Sequence, residues 1–325
     1  MGKIVAIALN TFKEAVRNKV LYFLLIFAIL ILGFSVIISD LSIASPNKLI
    51  KDLGLASIDF FGFLIAVFVG IYLVYNELDR KTIYTIVSKP IGRTQFILGK
   101  FFGLLFTIYV NILIMSIVFF AVLHFREATD QDVMIKACYQ ETSPGHFTQV
   151  MSQPAYYAKS VVICAVKGVA TLFGYGASSG IAAGLLKVIA MSALGLAIIT
   201  AFAIFYSTFS TPTLSAVFTF LTFVIGSLCE DIVRYAERLA QRAGGYTNLV
   251  GPERMKYWFA VVSAHIVPNL SYFDRRMNAV YGAPDLPVAT LEPPLLDWQT
   301  IVYGLTYTAG ILALACLIFR RRNFK

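Results

Sequence analysis

The sequence predicts an all-α integral membrane protein with six transmembrane helices. Of its 325 residues, 58% are hydrophobic and only 14% are charged, whereas a soluble domain is about half apolar and about a quarter charged. Several apolar runs approach the roughly 20 residues that a helix needs to cross a bilayer. The basic residues are also concentrated in a few segments between or beside these runs. Together these observations place the chain in the membrane class.

Six apolar runs have the composition of spanning helices. They comprise residues 20–39, 60–75, 101–123, 188–209, 213–229 and 301–319. The second and fifth runs are short, so we expect each to extend by about a turn at its ends. A seventh candidate, residues 161–185, is interrupted by Lys167 and several glycines. We interpret it as an interfacial helix, a re-entrant helix or an extension that leads into the fourth span.

The distribution of charge predicts the topology, because cytoplasmic flanks of membrane spans carry an excess of Lys and Arg. Three segments carry net charges of +3, +3 and +4, namely residues 1–19, 76–100 and 320–325. The other long connections have net charges of 0, 0 and −1, namely residues 40–57, 124–184 and 230–298. Both termini are therefore predicted to be cytoplasmic, which requires an even number of spans. We expect a multi-pass protein of a bacterial-type inner membrane.

Two elements are predicted on the cytoplasmic side. Apolar residues recur at helical spacing within residues 1–19, which predicts a basic amphipathic helix lying along the membrane surface. The first span follows at once; it is too long and lacks the cleavage site of a signal peptide, so we expect a retained anchor. Ser210, Thr211 and Pro212 form an uncharged tight turn between the fourth and fifth spans.

The extracytoplasmic side is predicted to carry a short loop at residues 40–57, a polar loop at residues 124–160 with a turn at residues 143–145, and a larger segment at residues 230–298. Within the larger segment, residues 230–242 have the pattern of an amphipathic helix of mixed charge. Residues 257–267 are apolar but only about half a bilayer long, and they end at Pro268. We expect interfacial helices here.

Several function classes lack their required residues. The chain has no Gly-x-x-x-x-Gly-Lys-Ser/Thr loop for nucleotide binding. Its three histidines and four cysteines show no metal-ligand spacing, and its basic residues do not interleave with stacking aromatics, as nucleic-acid binding would require. An ion-coupled carrier would need ionisable groups inside the spans, and its only candidate, Lys167, lies in the segment that we do not count as a span. A membrane protease or acyltransferase would need paired catalytic groups, whereas Asp59, Glu77 and Glu230 fall at predicted span ends. We therefore predict no catalytic residue, no metal site and no cofactor bound by this chain.

The cytoplasmic connection at residues 76–93 is longer than a turn requires and has its own pattern. Thr82 can cap a short helix, Ile83 and Ile86 lie on one face of it, and Pro90 ends it. A helix held between two spans can transmit a push to both. It can equally be an interfacial helix that only sets topology, and the residues alone leave both interpretations open.

The connection resembles the signature of type-2 ABC-transporter permeases. In that family an acid, a Gly-Thr pair, an apolar helix, a Pro, an Arg and a Gly-Lys follow one another into the third span. The matching residues here are Glu77, Thr82, Ile83 to Val87, Pro90, Arg93, Gly99 and Lys100. Lys81 replaces the usual Gly. Residues 11–19 resemble the family's amphipathic connecting helix. Residues 265–270, with Phe273 and Asp274, resemble the branch called multi-copper-enzyme maturation permeases.

The resemblance implies that residues 1–325 form one permease domain whose connection is a coupling helix seated on a cytoplasmic ATPase. The implied coupling residues are Glu77, Asp79, Arg80, Thr82, Ile83, Ile86, Pro90 and Arg93, with Phe12, Glu14 and Arg17 on the N-terminal helix. It implies two ABC ATPase subunits that bind ATP and Mg, and a second permease subunit, identical or paralogous. The expected function is export driven by ATP hydrolysis. The alternative is a non-transporting anchor or assembly factor that recruits an ATPase or an envelope machine through residues 230–298.

Overall fold

The fold is a bundle of long α-helices. The computed structural model describes residues 2–40, 46–79, 92–129, 139–143, 146–149, 180–242, 246, 251–276, 280 and 297–321. The α-helices in these ranges are α1 (Gly2–Val16), α2 (Lys19–Asp40), α3 (Pro46–Asp79), α4 (Arg93–Thr129), α5 (Gly180–Ser207), α6 (Pro212–Ser227), α7 (Cys229–Arg242), α8 (Pro252–Ile266) and α9 (Asp297–Arg321). A 3₁₀ helix covers Leu270–Phe273, and strands β1 (Tyr139–Ser143) and β2 (His146–Gln149) pair antiparallel.

The membrane class is confirmed. Within the described ranges, α2, α3, α4, α5 and α9 are each long and apolar enough to cross a bilayer. The predicted fifth span is the exception. Helix α6 has 16 residues and then bends by 57° into α7, so the pair reaches membrane length only when both helices are counted as one broken span.

The packing of α6 shows that the surroundings of the bundle are apolar. Its outward face carries large apolar side chains, including Leu214, Val217 and Phe220. Its buried face is made of Ser215, Thr219, Thr222 and Gly226. This arrangement is the reverse of a soluble helix and is typical of helix contacts in lipid, where small residues allow close approach. The hydroxyl of Thr219 donates to the Ser215 carbonyl at 2.7 Å, which satisfies the Thr219 donor within its own helix.

Helices α3 and α5 form the centre of the bundle, and contacts at glycines fix their directions. Gly62 of α3 faces Leu196, and Gly70 faces both Ala203 of α5 and Leu104 of α4. Thus α3 and α5 run in the same direction. Helix α4 runs in the opposite direction, because Gly54 at the other end of α3 packs against Phe119.

The two ends of the bundle can therefore be distinguished. At the basal end, defined as the end where α3 finishes and α4 starts, Phe319 of α9 stacks on Phe96 of α4 with ring centroids 6.0 Å apart. Helix α1 also contacts this part of α4. The apical end is the opposite end, where α6 finishes at Ser227. Helix α1 and the end of α9 therefore both contact α4 at the basal end.

The prediction of a loop at residues 40–57 is wrong for residues 46–57, which are helical. These residues form the first three turns of α3, where Ile50 and Leu55 are buried. Lys48, Lys51 and Asp52 in the same turns lower the hydropathy without breaking the helix. Helix α3 has 34 residues, so it is about 50 Å long and exceeds the roughly 30 Å hydrocarbon thickness of a bilayer.

Other local predictions have clear outcomes. Residues 180–185 belong to α5, so this part of the 161–185 candidate is an extension of the fourth span; residues 161–179 lie outside the described residues. The two stretches of the 230–298 segment that were predicted to be helices are helical, as α7 and α8, and α6 starts at Pro212 after the predicted turn. The hairpin of β1 and β2 was not predicted, although it flanks the predicted turn at residues 143–145.

Candidate functional site

The predicted coupling segment is described only at its two ends. Glu77 and Asp79 lie in the last turn of α3, and Arg93 is the first residue of α4. The remaining predicted coupling residues lie outside the described residues, namely Arg80, Thr82, Ile83, Ile86 and Pro90. The observable part of this site is therefore the pair of helices that flanks the segment and the elements packed on them.

Helix α1 docks on the first turns of α4 through two glycines. A Cβ atom at Gly99 would lie 2.7 Å from the Cβ of Ile7, and one at Gly103 would lie 2.6 Å from the carbonyl oxygen of Ala8. Both distances are shorter than van der Waals contact, so only glycine allows the backbones to approach this closely. Glycines four residues apart form a flat strip on a membrane helix. We call this contact the basal dock.

An ion pair with a buried lysine reinforces the basal dock. The Nζ atom of Lys100 lies 3.8 Å from a carboxylate oxygen of Glu14 and 5.9 Å from the centre of the Phe96 ring. The Lys100 side chain is 1% exposed, and a lysine is almost never so buried unless it is paired. The pair therefore links the end of α1 to the start of α4 at a second point.

The N-terminal residues predicted to border an ATPase are all placed by the structure. Phe12 packs edge-on against Phe106 of α4 with ring centroids 4.7 Å apart. Glu14 contacts Lys100, and Arg17 is exposed just beyond the end of α1. Asn18 then separates α1 from α2, and its side-chain oxygen accepts a hydrogen bond from the Val20 amide at 3.0 Å. Thus Phe12 and Glu14 hold α1 on α4, while Arg17 faces outward.

The basal dock was not predicted from the sequence, although a signal for it exists. Gly99 and Lys100 form the end of the family motif. Gly103 completes a Gly-x-x-x-Gly spacing, which is the usual mark of a close helix contact in membranes. That spacing does not identify the partner helix, and the contact with Ile7 and Ala8 could be known only from the structure.

The apical end contains a second organised site, formed by residues 268–276. We call this segment the apical plug. A Cβ atom at Gly226 of α6 would lie only 2.7 Å from the carbonyl oxygen of Pro268. Phe273 packs on Gly195 of α5 and on Gly304 of α9. Three glycines on three helices thus form the seat of the plug.

Hydrogen bonds fix the backbone of the plug. The side-chain oxygen of Asn269 accepts from the Ser271 amide at 3.0 Å, which caps the 3₁₀ helix. The backbone amide of Asn269 donates to the Tyr303 hydroxyl of α9 at 3.0 Å. The Ser271 hydroxyl donates to the Ser227 carbonyl, at the end of α6, also at 3.0 Å. The plug is therefore bound to both helices by directional contacts as well as by packing.

A group of charges attaches the plug to α3. Arg276 donates to both carboxylate oxygens of Asp274 at 2.8 and 2.6 Å, and its Nε atom also lies 3.6 Å from Asp59. The Asp59 carboxylate accepts a hydrogen bond from Ser192 of α5. Burial alone would raise the pKa of Asp274, but the hydrogen bonds and positive charge of Arg276 outweigh it and lower this pKa below its usual value.

The position of Asp59 corrects a prediction. It was expected at the end of the second span, where a charge is readily solvated. The structure instead places it within the candidate span Lys48–Tyr72, beside a cavity of about 80 Å³ that also borders Ser192, Asp274 and Arg276. A carboxylate at such a position requires a partner, and Arg276 provides it.

We expect a methyl group at the basal dock to destabilise the fold. Gly103→Ala should lower the midpoint of thermal unfolding in detergent, because its Cβ meets the Ala8 carbonyl; such overpacking costs about 1–3 kcal/mol. The matched control is Gly310→Ala on α9, where nothing lies within 4 Å of the added Cβ. This control should be neutral or stabilising, because Ala is favoured over Gly in a helix. Equal midpoints for the two variants would contradict the dock.

We expect the charges of the plug to act as a coupled group. Arg276→Gln should lower the unfolding midpoint, because it leaves two acids without their cation; for such partly buried groups we expect roughly 1–3 kcal/mol. The same change in an Asp59→Asn background should cost less. Arg234→Gln is the control, since its pairing with Glu230 on α7 is exposed. Strictly additive effects of the Asp59 and Arg276 changes would show that the two residues do not interact.

Comparison with known families adds a further finding. Residues 5–324 match the family model described as ABC-2 family transporter protein, which covers nearly the whole chain. A search of curated proteins gave no match.

Proposed function

Because this chain belongs to the ABC-2 transporter family, and is therefore the membrane subunit of an ABC transporter, we propose that it works as the permease of an exporter. Two separate ATPase subunits, which bind ATP and Mg, dock at the basal end on residues 76–93 and α1. A second permease subunit, identical or paralogous, completes the translocation path. The basal end faces the cytoplasm of a bacterial-type inner membrane. This assignment agrees with the positive charge of residues 1–19, 76–100 and 320–325.

The observation that supports this proposal best is the basal dock. The coupling segment continues directly into α4 at Arg93, and α1 is packed on the first turns of that same helix. Two surfaces that an ATPase would press, the segment and α1, are thus joined to one helix. A displacement at either surface moves α4 without first closing a gap, because the backbones already touch at Gly99 and Gly103.

The apical plug is the proposed outer closure. It connects α3, α5, α6 and α9 through the Asp59 and Arg276 charges and through its seat on Gly195, Gly226 and Gly304. A shift of α3 and α4 against α5 and α6 would separate Asp59 from Arg276 and loosen that seat. ATP-driven movement at the basal end would then open the apical end, which allows cargo to leave on that side.

We predict that changes in the coupling segment separate ATP hydrolysis from opening of the plug. Ser271→Cys, in a background without the four native cysteines, reports plug exposure by its rate of maleimide labelling. With the partner ATPase reconstituted, ATP should accelerate this labelling. Pro90→Ala with Arg93→Ala, or Glu77→Arg, should abolish the acceleration while membrane insertion is retained, because the push on α4 is lost.

Two results would contradict the coupling proposal. One is an unchanged ATP response in the coupling variants. The other is an ATPase partner that binds and hydrolyses ATP while the labelling rate of the Ser271→Cys reporter, in a complex with an unaltered coupling segment, never changes. The second result would favour the alternative function of an anchor that recruits an ATPase without transport. Arg234→Gln serves as the control variant, because α7 lies outside the proposed coupling route.

A further inference from the structure

An open apolar groove lies beside the basal dock, between α1 and α4. It has a volume of about 380 Å³ and is lined by Ile4, Val5, Ala8, Leu9, Phe12, Phe102, Gly103 and Phe106. The groove is open to the surroundings, because Val5, Leu9, Phe102 and Phe106 are each about half exposed. Its apolar wall continues along the outward face of α4, where Leu113 is 55% exposed. A surface of this kind accommodates a hydrocarbon chain.

The charges next to the groove indicate what head group this chain carries. Lys13 follows Leu9 by one helical turn and Arg17 follows Lys13 by another, and both are exposed. Glu14 is the one acid in α1, and it is already paired with Lys100. The exposed rim of the groove is therefore cationic, and basic residues at a membrane surface attract anionic lipids.

We propose that this groove is a binding site for one acyl chain of an anionic phospholipid whose phosphate contacts Lys13 and Arg17. The chain fills the apolar space between α1 and α4, and the head group lies at the end of α1. The lipid thus completes a contact that Gly99 and Gly103 make only along one edge of α1. Binding of this lipid does not require an ATPase at the basal end.

Brominated lipids provide a direct test, because bromine quenches tryptophan fluorescence only at short range. The two native tryptophans are Trp258 and Trp298; both are replaced by Phe. A single reporter, Leu9→Trp, is then placed in the groove. The protein is reconstituted in nanodiscs of phosphatidylcholine and phosphatidylglycerol at one fixed ratio. In one sample the bromine is on the phosphatidylglycerol and in the other, at the same mole fraction, on the phosphatidylcholine.

We expect stronger quenching by the brominated phosphatidylglycerol than by the brominated phosphatidylcholine. Lys13→Gln with Arg17→Gln should remove most of this difference, since each basic residue near the membrane surface enriches an anionic lipid about fivefold. Leu305→Trp is the matched control, because Leu305 is 58% exposed on α9 and away from the groove. It should show no preference between the two lipids.

Two outcomes would overturn the proposal. Equal quenching of the groove reporter by both lipids would mean that only bulk lipid reaches it. Absence of quenching by either lipid would mean that protein covers the groove. If Leu9→Trp fails to fold, Phe106→Trp provides the same measurement from the α4 side, with the same expected preference and the same loss in the Lys13 and Arg17 variant.

Discussion

The close approach of α1 to α4 is the constraint on which the functional account depends. Backbone contact at Gly99 and Gly103 prevents any closer approach of the two helices, and the pair of Lys100 and Glu14 opposes their separation and sliding. Neither interaction alone would make two helices behave as one. Together they hold the amphipathic helix against the start of α4, which is the helix that the proposed coupling segment leads into.

The two ends of the bundle use the same chemistry for different purposes. At both ends a segment outside the core is seated on glycines and then fixed by a charged group, which is Lys100 with Glu14 at the base and Arg276 with Asp59 and Asp274 at the apex. At the base the backbones touch at Gly99 and Gly103 and the Lys100 side chain is 1% exposed, as the proposed rigid joint requires. The apical group borders a cavity of about 80 Å³, which leaves space beside the charges, as the proposed closure requires.

Elements governed by lipid exposure were predictable from the sequence, and those governed by contacts between distant segments were not. Helix α2 follows its apolar run closely, because no charge interrupts that run. The first turns of α3 were not predicted, because Lys51 and Asp52 lower the hydropathy of turns that also contain buried apolar residues. The pairing of Asp59 with Arg276 joins residues far apart in the chain, and no local pattern indicates it. The spacing of Gly99 and Gly103 indicates that a helix packs closely at the basal dock, but it does not show that this helix is α1.

The central claim is that α1 and α4 move as one body, and pulsed distance measurements between spin labels test it most directly. Labels at Lys13 and Leu113 report α1 against α4, and labels at Leu113 and Leu228 report α4 against the end of α6. The account predicts that, in the complex with its ATPase, ATP changes the second distance distribution and leaves the first unchanged. A change in the first distribution as large as that in the second would contradict it.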